Sequence, residues 1–139
     1  MGRIYLVAEA DAGDRASWPG PDRFRPITRD GWKQARELAA TLRGRQVSWI
    51  VASPWLRCRQ TLVPLAEELG LDVDEHRSLA ESMPVERILN LLAELPDTTV
   101  VCTHADVVRN LVALYGTPAA DTPIGPWELE VAAALPGTA

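Results

Sequence analysis

Cysteine, lysine and long uncharged apolar runs are scarce in this chain, and each scarcity excludes something. The two cysteines, Cys58 and Cys102, cannot build a disulfide framework, and neither has a second cysteine or a histidine at knuckle spacing. They read as buried thiols in a reducing compartment, with no resident metal and no cofactor expected. The apolar runs are strand-sized, and the N-terminal MGRIYLVAEAD lacks both the h-region length of a signal peptide and the span of a membrane helix. A soluble, cytoplasmic chain without a membrane partner is expected. Positive charge is also short: 14 basic against 19 acidic residues give a net charge of -5, which excludes a uniformly basic face and with it a nucleic-acid partner. Lys33 is the only lysine, which with the many alanines and prolines fits the codon usage of a GC-rich genome and says nothing about chemistry.

What is present suits one globular unit. The 139 residues, 47% hydrophobic and 24% charged, suffice for a single domain over 1–139 with a real core and are too few for two enzyme domains. Short β-rich runs alternate with helical periods, the pattern of a sheet with crossover helices. Strands are expected at Ile4–Val7, Trp49–Ala52, around Val73, at Thr99–Cys102 and at Trp127–Val131. The last alternates apolar and acidic residues and belongs at or near a sheet edge.

Thr28 caps a first helix carrying Trp32, Ala35, Leu38, Ala39 and Leu42 on one stripe, with Gly44 as its stop. A second follows Ser53-Pro54, with serine as the cap, and runs to Gly70. Pro84 opens a third that Pro96 ends, and a fourth follows His104 and stops at Gly116. Trp32 and Trp49 fit core-facing stripes, whereas Trp18 and Trp55 could line a pocket rim. The fold class expected is α/β: a three-layer αβα domain with a mostly parallel sheet of about five strands. Between Ala10 and Thr28 runs a loop rich in Asp, Arg, Gly and Pro, longer than a connection needs, as functional lids often are.

Ligands of open α/β sheets bind at the carboxyl ends of the strands. Four segments end there: Ala8-Glu9-Ala10-Asp11, Ser53-Pro54-Trp55-Leu56-Arg57, Leu79-Ala80-Glu81-Ser82 and Cys102-Thr103-His104. An arginine, a glutamate and a histidine converging at strand ends suit phosphoryl chemistry, with a cation for the oxyanion and a carboxylic acid for the leaving group. Glu9, Glu81 and His104 are the catalytic candidates, and Arg57 and His104 the phosphate-binding ones. Each has a plainer reading. Arg57 could serve a helix-surface ion pair, Glu81 could be an ordinary loop acid near Glu75, and Glu9 could make a structural salt bridge. His76, between Glu75 and Arg77, reads as solvated.

The motifs SPWLRCRQT, RPITRDGWKQA, LAES and VVCTHADVVRNL, in this order on a βα pattern, resemble the histidine phosphatase superfamily, the phosphoglycerate-mutase-like group, and within it the small SixA-like phosphohistidine phosphatases. The resemblance implies a phosphoglycerate-mutase-like fold, Arg57 as a phosphate clamp, Glu81 as the acid and His104 as the second pocket histidine. It also exposes a departure. The family's first strand is followed by Arg-His, the arginine gripping phosphate and the histidine attacking phosphorus. Here those two positions hold Ala8 and Glu9.

The exchange moves the pocket at least two charge units toward negative. A unit charge at about 4 Å is worth roughly 4 kcal/mol at an effective dielectric near 20, an upper figure that solvent reduces. The expectation is that Glu9 pairs with Arg57 or His104 and fills the anion site from within, leaving an inactive or strongly impaired phosphatase with a binding role. Two alternatives stand beside it. One is an atypical phosphatase using Glu9 as nucleophile with Arg57, Glu81 and His104. Such carboxylates generally work with a metal, for which Glu9, Glu81, His104 and Asp11 are the donors, though nothing in their spacing demands one. The other is an engineered inactive variant of a SixA-like enzyme. Possible partners are a phosphorylated small molecule or a phosphoprotein, and the oligomeric state is left open. Arg15, Arg23 and Arg25 on the long loop are candidates to replace the missing clamp.

Overall fold

The computed structural model describes residues 2–115, 120 and 122–130. Five strands form one sheet in the order β3-β2-β4-β1-β5, with β1 Arg3–Ala8, β2 Trp49–Ala52, β3 Asp74–Glu75, β4 Thr99–Thr103 and β5 Trp127–Glu130. All pairings are parallel except β1 with β5, which is antiparallel. The helices α1 Arg29–Leu42, α2 Leu56–Leu69, α3 Val85–Glu94 and α4 Ala105–Tyr115 flank the sheet, α1 lying against α2. This is the expected three-layer α/β architecture.

Central strands covered on both faces need apolar residues at every position. Ile4 to Val7 and Val100 to Cys102 are accordingly all buried. β5 alternates because only one face is covered: Leu129 is buried, while Glu128 and Glu130 stay exposed and pair with Arg45 at 2.8 Å and Arg3 at 3.7 Å. It lies at the sheet edge, as its alternation implies, and Val131 lies outside the described residues, as does Gly116.

Thr28 caps α1 as expected, its Oγ1 accepting from Gly31 N at 3.1 Å. Gly70 ends α2 in the left-handed region at φ 68°, where a side chain would be strained. Two expectations are corrected. Ser53 does not cap α2; Trp55 holds that position without a side-chain bond, because the Ser53 hydroxyl is engaged with His104 and with Trp55 N. Trp49 is 46% exposed and outside the core, because β3 reaches only Val51 and Ala52 and leaves the start of β2 with a neighbour on one side. Trp32 is half-buried and packs on the core.

Candidate functional site

The parallel register builds the site. Ala8 stands opposite Thr103 and Ala52 opposite Cys102, so the residues that follow, Glu9, Ser53 and His104, emerge together at the carboxyl edge. Three further bonds bring the remaining segments there. Thr103 Oγ1 donates to Leu79 O at 2.8 Å, tying the stretch that carries Glu81 to the end of β4. Thr61 Oγ1 accepts from Ala10 N at 2.9 Å and donates to Arg57 O at 2.6 Å, tying the Glu9 segment to the first turn of α2. Gln60 Oε1 accepts from Ile27 N at 2.9 Å and so anchors the end of the long loop. The Gln-Thr pair of the second-strand motif therefore positions backbone around the site.

Arg57, one residue into α2, is buried with its side chain 4% exposed, which rules out the plain surface ion pair. Its carboxylate partners are Asp22 Oδ2 at 3.1 Å, Glu81 Oε2 at 3.5 Å and Glu9 Oε1 at 3.9 Å. Glu9 does pair with Arg57, but at a distance beyond a hydrogen bond, and the closest partner is Asp22. Sequence reading did not single out Asp22. It enters from the long loop, which folds over the site on two short 3₁₀ turns, Arg15–Ser17 and Asp22–Phe24.

The loop arginines divide their tasks. Arg25 is nearly buried; its Nε donates to Asp22 Oδ1 at 2.9 Å and its Nη1 to Ala12 O and Gly13 O at 2.8 and 2.9 Å, so it latches the loop. Arg15 reaches both Asp22 and Glu81 at 2.8 Å. Arg23 lies over the Phe24 ring, 4.8 Å from its centre. Trp18 is used within the loop, its Nε1 donating to Pro21 O at 2.9 Å.

His104 is buried, with Nε2 2.9 Å from Ser53 Oγ and the Trp55 ring edge-on at 5.5 Å. Burial, followed by the nearby Arg57 charge, lowers its pKa to about 4, so it is neutral at pH 7. Burial raises Glu9 above the ordinary glutamate value, against the opposing pull of the backbone amides of Glu9 and Ala105 and of Arg57. For Asp22 burial also works upward, but the hydrogen bond from Arg25 and the charges of Arg57, Arg25 and Arg15 outweigh it and hold the carboxyl below its usual value. Cys58 and Cys102 are both free and buried, as expected, and burial pushes the Cys102 thiol well up.

Cys58 was not among the site residues expected. Its Sγ, a Glu9 carboxylate oxygen and a ring nitrogen of His104 all lie within 4.8 Å of one another. Asp11 is held by Thr28 and turned to the loop base, and the exposed Glu75 pairs with Arg59 at 3.6 Å. His76 is exposed, as expected, and its Nδ1 accepts from Ser78 N at 3.1 Å.

The carboxyl edge of an α/β sheet thus gathers one buried arginine, one buried histidine and three carboxylates under a loop. Comparison with known proteins gives the family. The histidine phosphatase superfamily (branch 1) matches residues 22–84. The chain is 30% identical over 115 residues to an 8-oxo-(d)GTP phosphatase of Mycolicibacterium smegmatis, covering 78% of this chain and 36% of that relative, so it spans about a third of the relative's length. Its fold is similar to that of the protein histidine phosphatase SixA complexed with tungstate, with a TM-score of 0.71 and 25% identity over 81% of this chain and 76% of that one. A mycobacterial glucosyl-3-phosphoglycerate phosphatase in complex with VO3 shares the fold at a TM-score of 0.68 and 22% identity, over 94% and 93% of the two chains. The chain belongs to the histidine phosphatase superfamily.

Proposed function

We propose that residues 1–139 form one SixA-like domain in which phosphoryl transfer has been lost, a pseudophosphatase that retains a binding role in the cytoplasm. The observation that carries the reading is the state of Arg57: this buried cation has Asp22, Glu81 and Glu9 around it, two of them within 3.5 Å. A phosphate dianion must displace carboxylates to reach it. The positions that would supply a second cation and a nucleophile hold Ala8 and Glu9. His104, neutral at pH 7, offers no charge in compensation.

Attack by Glu9 on phosphorus is the second reading, and the burial of Glu9 beside Arg57 is what favours it. Against it stands repulsion between the attacking carboxylate and the dianion, with Glu81 and Asp22 nearby. The partner proposed is a phosphorylated small molecule or a phosphoprotein, held more weakly than by an enzyme with an open clamp. The test is hydrolysis of an aryl phosphate and of a phosphohistidine peptide by the native chain and by Glu9→Gln. Background rates for both support the proposal; native turnover that Glu9→Gln abolishes establishes carboxylate chemistry and overturns it.

A further inference from the structure

The three elements meeting at the carboxyl edge bring together donors that the proposed function does not need. Glu9 follows β1, Cys58 lies in the first turn of α2 and His104 follows β4; one donor atom from each lies within 4.8 Å of the other two. The sulfur and the imidazole are buried, and the Glu9 side chain is 18% exposed. Two polar atoms of this trio, Glu9 Oε2 and His104 Nδ1, are buried without a hydrogen-bond partner among the described residues, as are the donors Trp55 Nε1 and Arg57 Nε beside it. Buried polar atoms are satisfied as a rule, and a pair left bare in one small cluster points to a ligand that takes lone pairs. With Nε2 donating to Ser53 Oγ, Nδ1 is the nitrogen open to such a ligand, and the Ser53 contact is the kind of outer hydrogen bond that orients metal-bound imidazoles.

From this geometry we propose that Glu9, Cys58 and His104 form a three-ligand site for a divalent transition metal of the zinc type. One thiolate, one imidazole and one carboxylate make a mixed set suited to Zn2+ or Co2+ rather than Mg2+ or Ca2+, and three protein ligands leave a fourth position for water. Bond lengths of about 2.0–2.3 Å put bound donors roughly 3.5 Å apart, so closure takes side-chain movements of about 1 Å. The less buried Glu9 supplies them and marks the way in from solvent. Charge balances as well once Arg57 is left to Asp22 and Glu81: thiolate and carboxylate together offset the dication, and binding releases the Cys58 proton, with that of Glu9 where it is protonated, to solvent. The inference rests on the same pocket as the proposed function, but it needs no turnover and predicts none.

The test is a Co2+ titration of the tag-free native chain, followed in the visible and near ultraviolet. One cobalt per chain is expected, with the visible bands of a tetrahedral site and a thiolate-to-cobalt charge-transfer band that Zn2+ abolishes. Cys58→Ser removes that band. Glu9→Gln weakens binding about ten-fold or more, while His76→Gln, at the chain's other histidine, changes neither. Circular dichroism shows which variants remain folded. If Cys58→Ser unfolds, the band of Cys102→Ser decides, since Cys102 is the chain's other thiol: a band that persists there keeps the site, and one that vanishes overturns it. A native chain without the band, or one whose cobalt signal is indifferent to Glu9→Gln, overturns the site. A chain that binds no metal and hydrolyses nothing leaves the pseudophosphatase reading intact, whereas one that binds metal and turns over an aryl phosphate keeps the site and removes that reading.

Discussion

Asp22 grips Arg57 twice: its Oδ2 lies 3.1 Å from Nη2, and its main-chain carbonyl accepts from Nη1 at 3.1 Å. A loop residue thus sits on the guanidinium that the proposed function gives to a phosphate, and the loop is fastened in turn by Arg25 and by the Arg15 bridge to Glu81. On the function proposed, the carboxylates around Arg57 are a built-in competitor for oxyanions.

Removing that competitor exposes the site. Asp22→Ala is expected to tighten binding of orthophosphate or vanadate about ten-fold, a change of about 1.4 kcal/mol. It also lowers stability by about 2 kcal/mol, because charge-assisted hydrogen bonds to Arg25 and Arg57 are lost. Calorimetric titration and denaturant unfolding check both; unchanged affinity with an intact fold means Asp22 does not guard the site.

Acid should undo the same contact. The Asp22 carboxyl is held below its unfolded value of 3.8, so its stabilising contribution is complete above that pH and disappears as pH falls through the lower folded value. The difference in unfolding free energy between native and Asp22→Asn should therefore be constant near neutrality and shrink below about pH 4. A difference that grows on acidification contradicts the assignment.

Gly31 marks a close approach between α1 and the segment after β1. A Cβ there would lie 2.2 Å from Asp11 O and 2.9 Å from Ile27 Cβ. Gly31→Ala is expected to cost about 2–3 kcal/mol, as overpacking against backbone does. Thermal and denaturant unfolding measure it, and a neutral effect would mean that the Asp11 segment yields freely.

Thr61 joins the two halves of the site. Thr61→Val keeps the shape but leaves the Ala10 N–H buried without its acceptor, for an expected loss of about 1–3 kcal/mol. Thr61→Ser, which keeps the hydroxyl, should recover most of it.

The sheet and helices are legible in the sequence because apolar runs of strand length and stripes of helical period are set locally. Ile4–Val7 and the Thr28 cap needed nothing beyond their own neighbours. Glu9, Arg57, Glu81 and His104 are brought into one cluster because strand ends in a parallel sheet align. Asp22 was hidden, since its place depends on the path of the Ala10–Thr28 loop, which the Arg25 latch and the Gln60 anchor set across the fold. Cys58 was hidden by spacing: its partners lie about 50 residues to either side and meet it only once β1, α2 and β4 are packed. Trp49 was misplaced because an apolar stripe does not tell how far a neighbouring strand extends.

The proposed function holds that a phosphatase pocket persists here with its nucleophile and the arginine before it missing, at Ala8 and Glu9, and Arg57 retained. Its most direct test is aryl phosphate hydrolysis by the Ala8→Arg plus Glu9→His double variant, alone and with Asp22→Asn added. The account predicts turnover at least about 100-fold above the native chain, roughly the low end of what one nucleophile with its charge partner contributes, and more with Asp22→Asn. A folded double variant that stays at background with and without Asp22→Asn contradicts it, and would mean that the cleft is built for something other than phosphoryl transfer.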